Sequence, residues 1–206
     1  FQLLDPYADE RAHPAEGPLL DEALRPARPD AAAIFVYLHP DVVERAHVHA
    51  ALCDLGPALE IYAPRVPEVL LAPLRTAGAR VHDAPQRVAD VLERSRLVIH
   101  QGNAGLAAEA LAAGVPQYAL CWHVEHYINA EALAAAGVAR SRNLFDPAFR
   151  LDAGDILDFA RDAEAAFMAE AAGRIHRAML AEADPLETLT RRCLALLQAR
   201  GARPDQ

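Results

Sequence analysis

The sequence contains no lysine: its 20 basic side chains are all arginine, against 29 aspartates and glutamates, which gives a formal net charge of −9. The arginines form no dense basic run. Duplex binding depends on a clustered positive face that neutralises many phosphates, so the sequence argues against a nucleic-acid partner. An anionic ligand would have to be held by local groups, such as the free N–H groups at the start of a helix.

Long apolar runs and paired cysteines are also missing. No run approaches the roughly 20 apolar residues that span a bilayer, and no basic segment followed by an apolar core resembles a leader peptide, so we expect no transmembrane segment. Cys53, Cys121 and Cys193 show no Cys-x-x-Cys spacing, which is typical of a reducing compartment. We therefore expect a cytoplasmic protein, with Cys121 and Trp122 in its core.

The sequence is rich in apolar residues, which make up 53% of its 206 positions, and this suffices for one compact domain. From residue 31 onward, short apolar runs alternate with segments of helical spacing. The predicted strands are 33–38, 59–63, 79–82, 97–100 and 117–120. The predicted helices are 41–55, 67–77, 88–94, 106–113 and 125–136, followed by two long helices that begin at Asp152 and at Asp184-Pro185. This alternation predicts an α/β fold, a Rossmann-like parallel sheet with helices on both faces.

The turn after the fourth predicted strand is the candidate ligand site. It has the sequence HQGNAG over residues 100–105 and leads into a helix that carries Glu109. Ligands of open parallel sheets lie at the carboxyl ends of the strands, and a glycine-containing turn before a helix suits a diphosphate. Glu109 is placed to reach the hydroxyls of a sugar attached to that diphosphate. A merely tight turn would explain the glycines equally well, and the spacing alone leaves both interpretations open.

Four segments of the sequence resemble the C-terminal, donor-binding domain of GT-B glycosyltransferases of the family 1 type, which includes UDP-glucuronosyl, macrolide and plant secondary-product enzymes. They are Asp-Ala-Pro-Gln at 83–86 with Val-Leu at 91–92; residues 99–105; Glu-Ala-Leu at 109–111 with Gly-Val-Pro at 114–116; and Glu-His at 125–126 with Asn-Ala at 129–130. The intervals between them fit the family without a gap. The resemblance runs from about residue 5 to residue 195.

The resemblance implies a UDP- or dTDP-linked sugar as donor substrate, with no further cofactor and no metal. Pro85 and Gln86 would line the nucleobase, Glu109 would accept hydrogen bonds from the ribose, and Glu125 with His126 would hydrogen-bond the donor sugar. The implied diphosphate site consists of Gln101, Gly102, Asn103, Ala104, Gly105 and Leu106.

The resemblance also implies how the chain is organised. Residues 1–30 would be a linker from an N-terminal, acceptor-binding domain, residues 31–150 the nucleotide-sugar-binding domain, and residues 151–206 its C-terminal helices. The chain would then be the donor half of a hexosyltransferase that moves the sugar to a hydroxyl of a small-molecule, lipid or protein acceptor. Because the general base is expected in the N-terminal domain, the chain alone should be inactive.

Three departures from the family pattern support a different hypothesis. Gln101 stands where the family has a phosphate-contacting histidine, Leu106 replaces a serine or threonine, and His39-Pro40 replaces a Gly-Ser turn after the first strand. Pro40 has no N–H to donate, and His39 is either a substitute phosphate contact or a simple neighbour of the next helix. The alternative function is therefore a non-catalytic GT-B-like binding module with an eroded phosphate loop.

A zinc site is the remaining candidate. His123 and His126 are three residues apart beside Glu125, but the sequence offers no further ligands in register. Structural zinc takes four defined ligands, so the sequence predicts none here.

Overall fold

The computed structural model describes Leu20, residues 24–180 and residues 185–201. A six-stranded sheet in which all paired strands are parallel lies at its centre, with the strand order β3-β2-β1-β4-β5-β6. The strands are β1 (Ala33–Tyr37), β2 (Leu59–Tyr62), β3 (Arg80–His82), β4 (Ser95–His100), β5 (Gln117–Cys121) and β6 (Ala139–Asn143). This confirms the predicted Rossmann-like α/β fold, and the direction of strand order reverses between β1 and β4, as is typical of this fold.

Helices connect successive strands, and three further helices of the described chain follow β6. In chain order the helices are α1 (Pro40–Val43), α2 (Ala46–Asp54), α3 (Glu68–Thr76), α4 (Val88–Glu93), α5 (Ala104–Ala112), α6 (Val124–Ala135), α7 (Ala153–Phe159), α8 (Ala163–Leu180) and α9 (Pro185–Gly201), with a short 3-10 helix at Gly56–Ala58. Among the described residues, no helix combines the length and the apolar character that crossing a membrane requires.

Alternating strand residues build two apolar layers, one on each face of the sheet. Ile34 and Val36 of β1 pack on one side with Leu97 and Ile99 of β4, where α2 and α7 cover them. Phe35 packs on the other face, beneath α4 and α5. Strands covered on both faces read as nearly continuous apolar runs, which is why the central strands were recognisable in the sequence.

The sequence missed the sixth strand. Residues 139–143 read Ala-Arg-Ser-Arg-Asn, and no apolar run marks them. They form β6 at the edge of the sheet beside β5. The Arg140 guanidinium lies 3.9 Å from the centre of the Phe159 ring, so packing against an aromatic side chain replaces burial of an apolar one.

Two predicted helix boundaries are wrong near the sheet's carboxyl edge. The predicted helix 41–55 breaks at Arg45, which is extended with φ −66° and ψ 121° and donates from Nη1 to the Leu144 carbonyl at 2.9 Å. The helix predicted to start at Leu106 begins two residues earlier, at Ala104. The loop after β4 is therefore residues 101–103 alone, and Ala104 and Gly105 form the first turn of α5.

The two long terminal helices were predicted only in part. Asp152 does cap a helix, because its Oδ1 accepts from the Asp155 N–H at 3.2 Å, but that helix is the short α7. The long helix α8 follows it and was not predicted separately. Helix α9 starts at Pro185 as expected, whereas the predicted cap Asp184 lies outside the described residues, as does most of the predicted linker 1–30.

Candidate functional site

The strand order reverses at a crevice between the carboxyl ends of β1 and β4, which we call the switch-point crevice. Tyr37 and His100 pair at the ends of these two strands, so the following residues, 38–39 and 101–103, face each other across the crevice. Open α/β sheets bind their ligands at such a point because the connections leave in opposite directions there.

The buried side chain of His100 fixes the conformation of the loop 101–103. Its side chain is fully buried, its Nδ1 accepts from the Gly102 N–H at 3.0 Å, and its Nε2 lies 2.9 Å from Oε1 of Gln117. Burial lowers the pKa of His100 to about 4, because the charged form would lose its hydration. The imidazole is therefore neutral, with its proton on Nε2, and serves to position the loop.

Gly102 lets helix α6 approach the loop closely. Its φ is +95°, and a Cβ added there would lie 2.4 Å from the carbonyl oxygen of His126. The Asn129 side chain donates from Nδ2 to the Gly102 carbonyl at 2.9 Å. Any larger residue at position 102 would push α6 away, so the glycine and Asn129 together fix the first turn of α6 beside the crevice.

Gln101 joins the two sides of the crevice. Its Oε1 accepts from the His39 backbone N–H at 2.8 Å, while Nδ1 of His39 accepts from the Asp41 N–H at 3.3 Å. Pro40 has no N–H. The amides that a Gly-Ser turn would offer to a phosphate are thus absent or bonded within the protein.

The N-terminus of α5 is the part of the crevice suited to an anion. Asn103 precedes the helix in an extended conformation, and no side chain caps the first turn. Ala104 and Gly105 are exposed, and a Cβ added to Gly105 would find no atom within 4 Å. Uncapped N–H groups at the positive end of a helix bind phosphate through the backbone alone.

The side chain of Leu106 does not take part in that anion site. Its side chain packs on the apolar layer beneath α4 and α5, beside Tyr37, Tyr62 and Val88. The position that could carry a hydroxyl donor therefore contributes to the core.

Glu109 stands one helical turn after Gly105 on the same side of α5. Its side chain is half-buried. The exposed Gly105 and the Glu109 carboxylate thus share one face of the helix. A diphosphate at Gly105 would place the hydroxyls of an attached sugar near that carboxylate.

Pro85 and Gln86 lie on the same edge of the sheet, after β3. Pro85 is exposed, Gln86 is half-buried, and the Gln86 side-chain amide donates to the Ala84 carbonyl at 3.0 Å. The helix that follows them, α4, packs against α5. The fold therefore places this segment on the α5 side of the crevice.

Glu125 and His126 occupy the first turn of α6. Glu125 is exposed and His126 half-buried, and within the described part of the chain Nδ1 of His126 is buried without a hydrogen-bond partner. Burial, and then the neighbouring His123, lowers the pKa of His126. The side chain therefore presents a neutral imidazole with one unused nitrogen next to the loop.

Sequence reasoning missed the part played by His39 and Trp122. Their rings stack at 4.9 Å with an angle of 24°, and Trp122 lies 4.0 Å from the ring of His123, which is 5.4 Å from His126. We call these four residues the His-Trp cluster. Cys121 is in the core as expected, and Trp122 is half-buried at the crevice, where its side chain packs against the core. The sequence could have indicated the position of His39 and Trp122, because both residues follow the carboxyl ends of strands, where ligands of such sheets bind.

A metal centre is not assembled by these side chains. Within residues 24–180 and 185–201, and at Leu20, no three His, Cys, Asp or Glu side chains come together in an arrangement that could hold an ion.

No protein-family model and no curated protein sequence matches this chain. Several solved structures do. The glycosyltransferase of kitacinnamycin matches with a TM-score of 0.62 and 18% identity over 93% of this chain and 52% of its own. SnogD, a glycosyltransferase from Streptomyces nogalater, matches with a TM-score of 0.57 and 25% identity over 87% and 46%.

The spinosyn rhamnosyltransferase SpnG, solved with thymidine diphosphate, matches with a TM-score of 0.67 and 22% identity over 91% of this chain and 54% of its own. The chain thus spans about half the length of the solved structures it matches. The resemblance found in the sequence motifs is confirmed in the fold: the chain has the fold of one half of a GT-B glycosyltransferase.

Proposed function

We propose that this chain is the donor-binding half of a glycosyltransferase. It binds a nucleoside-diphosphate sugar at the switch-point crevice, and the sugar passes to a hydroxyl of an acceptor held by another domain. The observation that carries the proposal is the uncapped, exposed start of α5 directly after the loop 101–103, with Glu109 one turn further on. A similar fold in several glycosyltransferases supports a role in sugar transfer.

The diphosphate lies at the N-terminus of α5, where the N–H groups of Ala104, Gly105 and Leu106 point toward it. This end of the helix carries about half a positive charge. Because the field of a helix end is short-ranged, it can hold an anion even in a protein with a net negative charge. As the sugar leaves, negative charge grows on the diphosphate, and the fixed backbone donors stabilise that charge without reorganising.

The nucleoside lies on the α4 side of the diphosphate. Glu109 accepts hydrogen bonds from the ribose hydroxyls, and Pro85 with Gln86 lines the base. A carboxylate suits this role because its oxygens accept from both hydroxyls of the ribose in UDP and from the single 3′-hydroxyl of the deoxyribose in dTDP.

The donor sugar lies toward α6. Glu125 accepts from its hydroxyls, and the half-buried imidazole of His126 supplies a further hydrogen bond. Among the matched structures, SpnG has been solved with thymidine diphosphate and with spinosyn aglycone, which makes dTDP-linked sugars and small-molecule acceptors the first pair to test. The general base would come from the acceptor-binding half, and no metal or other cofactor is required.

Three observations favour a second candidate, a non-catalytic binding module. The His39 N–H is bonded to Gln101, the Asp41 N–H is bonded to His39, and Leu106 belongs to the core. The diphosphate would keep only the α5 donors, so binding of a sugar or a partner without transfer is the alternative.

A thermal-shift screen separates the two candidates. The chain is titrated with UDP-, dTDP- and GDP-linked sugars, each beside the free nucleotide. A ligand that binds only the folded state raises the melting temperature with concentration. A saturable shift with one base supports the donor half and identifies its donor class, whereas no shift with any of them supports the non-catalytic module.

A further inference from the structure

A second concave surface lies at the opposite, amino-terminal edge of the sheet, away from the switch-point crevice. It is a groove of about 320 Å³ whose polar lining includes Arg28, Ser95, Arg96, Arg161 and Asp162. We call it the arginine groove. Ser95 begins β4 and Pro116, which also lines the groove, directly precedes β5, so the groove opens beneath the starts of the central strands.

The sheet directs Arg96 into this groove through an irregularity. Ala33 pairs with Ser95, but the next residue, Ile34, pairs with Leu97, so Arg96 is an extra residue on β4. An extra residue interrupts the alternation of side chains and re-aims one of them. Arg96 and Arg161 line the groove together, and the positive charge of Arg161 contributes to the lowered pKa of Arg96.

Two arginines of the groove are left without a neutralising carboxylate among the described residues. Arg28 pairs with Asp30 at 3.7 Å. The Asp162 carboxylate accepts from the Ala165 N–H at 3.0 Å and lies 3.9 Å from Arg140. Arg96 and Arg161 form no ion pair or side-chain hydrogen bond within the described chain, and Nε of Arg96 is buried without a partner.

This arrangement is costly for a protein that has no ligand there. A buried, unsatisfied donor and two like charges close together both destabilise the folded state. Burial and Arg161 accordingly lower the pKa of Arg96, yet an arginine stays protonated in proteins. A ligand with two negative charges and several acceptor oxygens would neutralise both guanidinium groups at once.

We propose that the arginine groove binds the phosphate group of a small molecule, either inorganic phosphate or a phosphate monoester, through Arg96 and Arg161. A phosphate dianion matches the two unpaired charges, whereas a single carboxylate would neutralise one. The groove has the size of a small-molecule pocket. The site lies on the other edge of the sheet from the proposed donor site and does not depend on the proposed function.

The test measures the melting temperature and the heat of binding as inorganic phosphate or glycerol phosphate is added to the chain, with chloride keeping the ionic strength constant. We expect a saturable rise in melting temperature. The exposed Arg161→Gln and the half-buried Arg96→Gln should each weaken binding about tenfold or more, since each removes hydrogen bonds to a charged group. Arg174→Gln, which removes an exposed arginine paired with Glu170, is the control and should bind like the wild type.

A second comparison separates the groove from the switch-point crevice and from a purely structural role for Arg96. Gly105→Ala alters the start of α5 and should leave phosphate binding intact. Without phosphate, Arg96→Gln should be at least as stable as the wild type, because it removes an unpaired charge. Tighter binding of glycerol phosphate than of inorganic phosphate identifies a phosphate monoester as the ligand, equal or weaker binding identifies free phosphate, and either result supports the site. The proposal is wrong if phosphate does not bind, or if both arginine variants bind phosphate like the wild type; loss of binding in Gly105→Ala would then place the phosphate at the start of α5.

Discussion

The buried imidazole of His100 makes the stability of this fold depend on pH. Its pKa is about 4 in the folded protein, against about 6.5 in an unfolded chain. Between these values the unfolded state binds a proton that the folded state excludes. Stability should therefore decrease as the pH falls from about 6.5 to about 4, and should be fully present above that range.

We expect His100→Gln to remove this dependence, because glutamine does not titrate. For the two pKa values above, the loss between pH 7.5 and pH 5 is about 2 kcal/mol from this residue. Urea unfolding of both proteins at the two pH values measures it. The same loss in the variant as in the wild type would show that His100 is protonated in the fold.

Gln101 decides whether the crevice offers a cation to a diphosphate. In Gln101→His the new imidazole carries a positive charge below its pKa, near 6.5. We expect nucleoside-diphosphate binding to become tighter at pH 5.5 relative to pH 7.5 by a larger factor in the variant than in the wild type. Calorimetry at both pH values gives the two ratios, and equal ratios would mean that position 101 does not face the phosphates.

At the scale of the element, Gly102 and Gly105 near the start of α5 should respond in opposite ways to substitution by alanine. Gly102→Ala would force a positive φ on a residue with a Cβ and drive that Cβ into the His126 carbonyl, so we expect a loss of about 2 kcal/mol or more in the free energy of unfolding. Gly105→Ala has open space around it and should gain up to about 1 kcal/mol. Chemical denaturation measures both changes.

The pair also tests the site. Because the methyl group of Gly105→Ala would stand among the proposed phosphate donors, this variant should bind nucleotide more weakly although it folds more stably. Tight binding by Gly105→Ala would place the diphosphate elsewhere.

The elements that the sequence predicted are those with continuous apolar runs, such as β1, β4 and β5. It missed β6 because this strand has arginines where a buried strand usually has apolar residues. The guanidinium groups of Arg140 and Arg142 pack on aromatic rings. The sequence also missed the break before α2, where the Arg45 side chain bonds to the distant Leu144 carbonyl. Such long-range contacts leave no local pattern in the sequence.

The sequence predicted only those parts of the candidate site that are formed by backbone atoms. A glycine-containing turn followed by a helix is expected after a strand of such a sheet, although the sequence placed the start of α5 two residues too late. Side-chain partners were not predictable: the Gln101 to His39 bond joins residues 62 positions apart, and the stacking of His39 on Trp122 joins two loops. These contacts depend on which strands become neighbours in the sheet.

At the scale of the whole molecule, the chain corresponds to about half of the glycosyltransferases it matches. If it is the donor half, the chain alone should bind nucleotide and transfer no sugar, because the acceptor site and the base belong to the other half. An assay with radiolabelled donor sugars and a panel of acceptor alcohols checks this. Robust turnover by residues 1–206 would contradict the assignment.

The central claim is that a nucleotide binds at the start of α5 with its ribose on Glu109. The most direct test is calorimetric titration of dTDP and UDP into the wild type, Glu109→Ala and the control Glu170→Ala, which removes an exposed carboxylate of α8. The account predicts saturable binding of one nucleotide, weakened by about 1.5–3 kcal/mol in Glu109→Ala and unchanged in Glu170→Ala. Binding by Glu109→Ala that equals the wild type would contradict it.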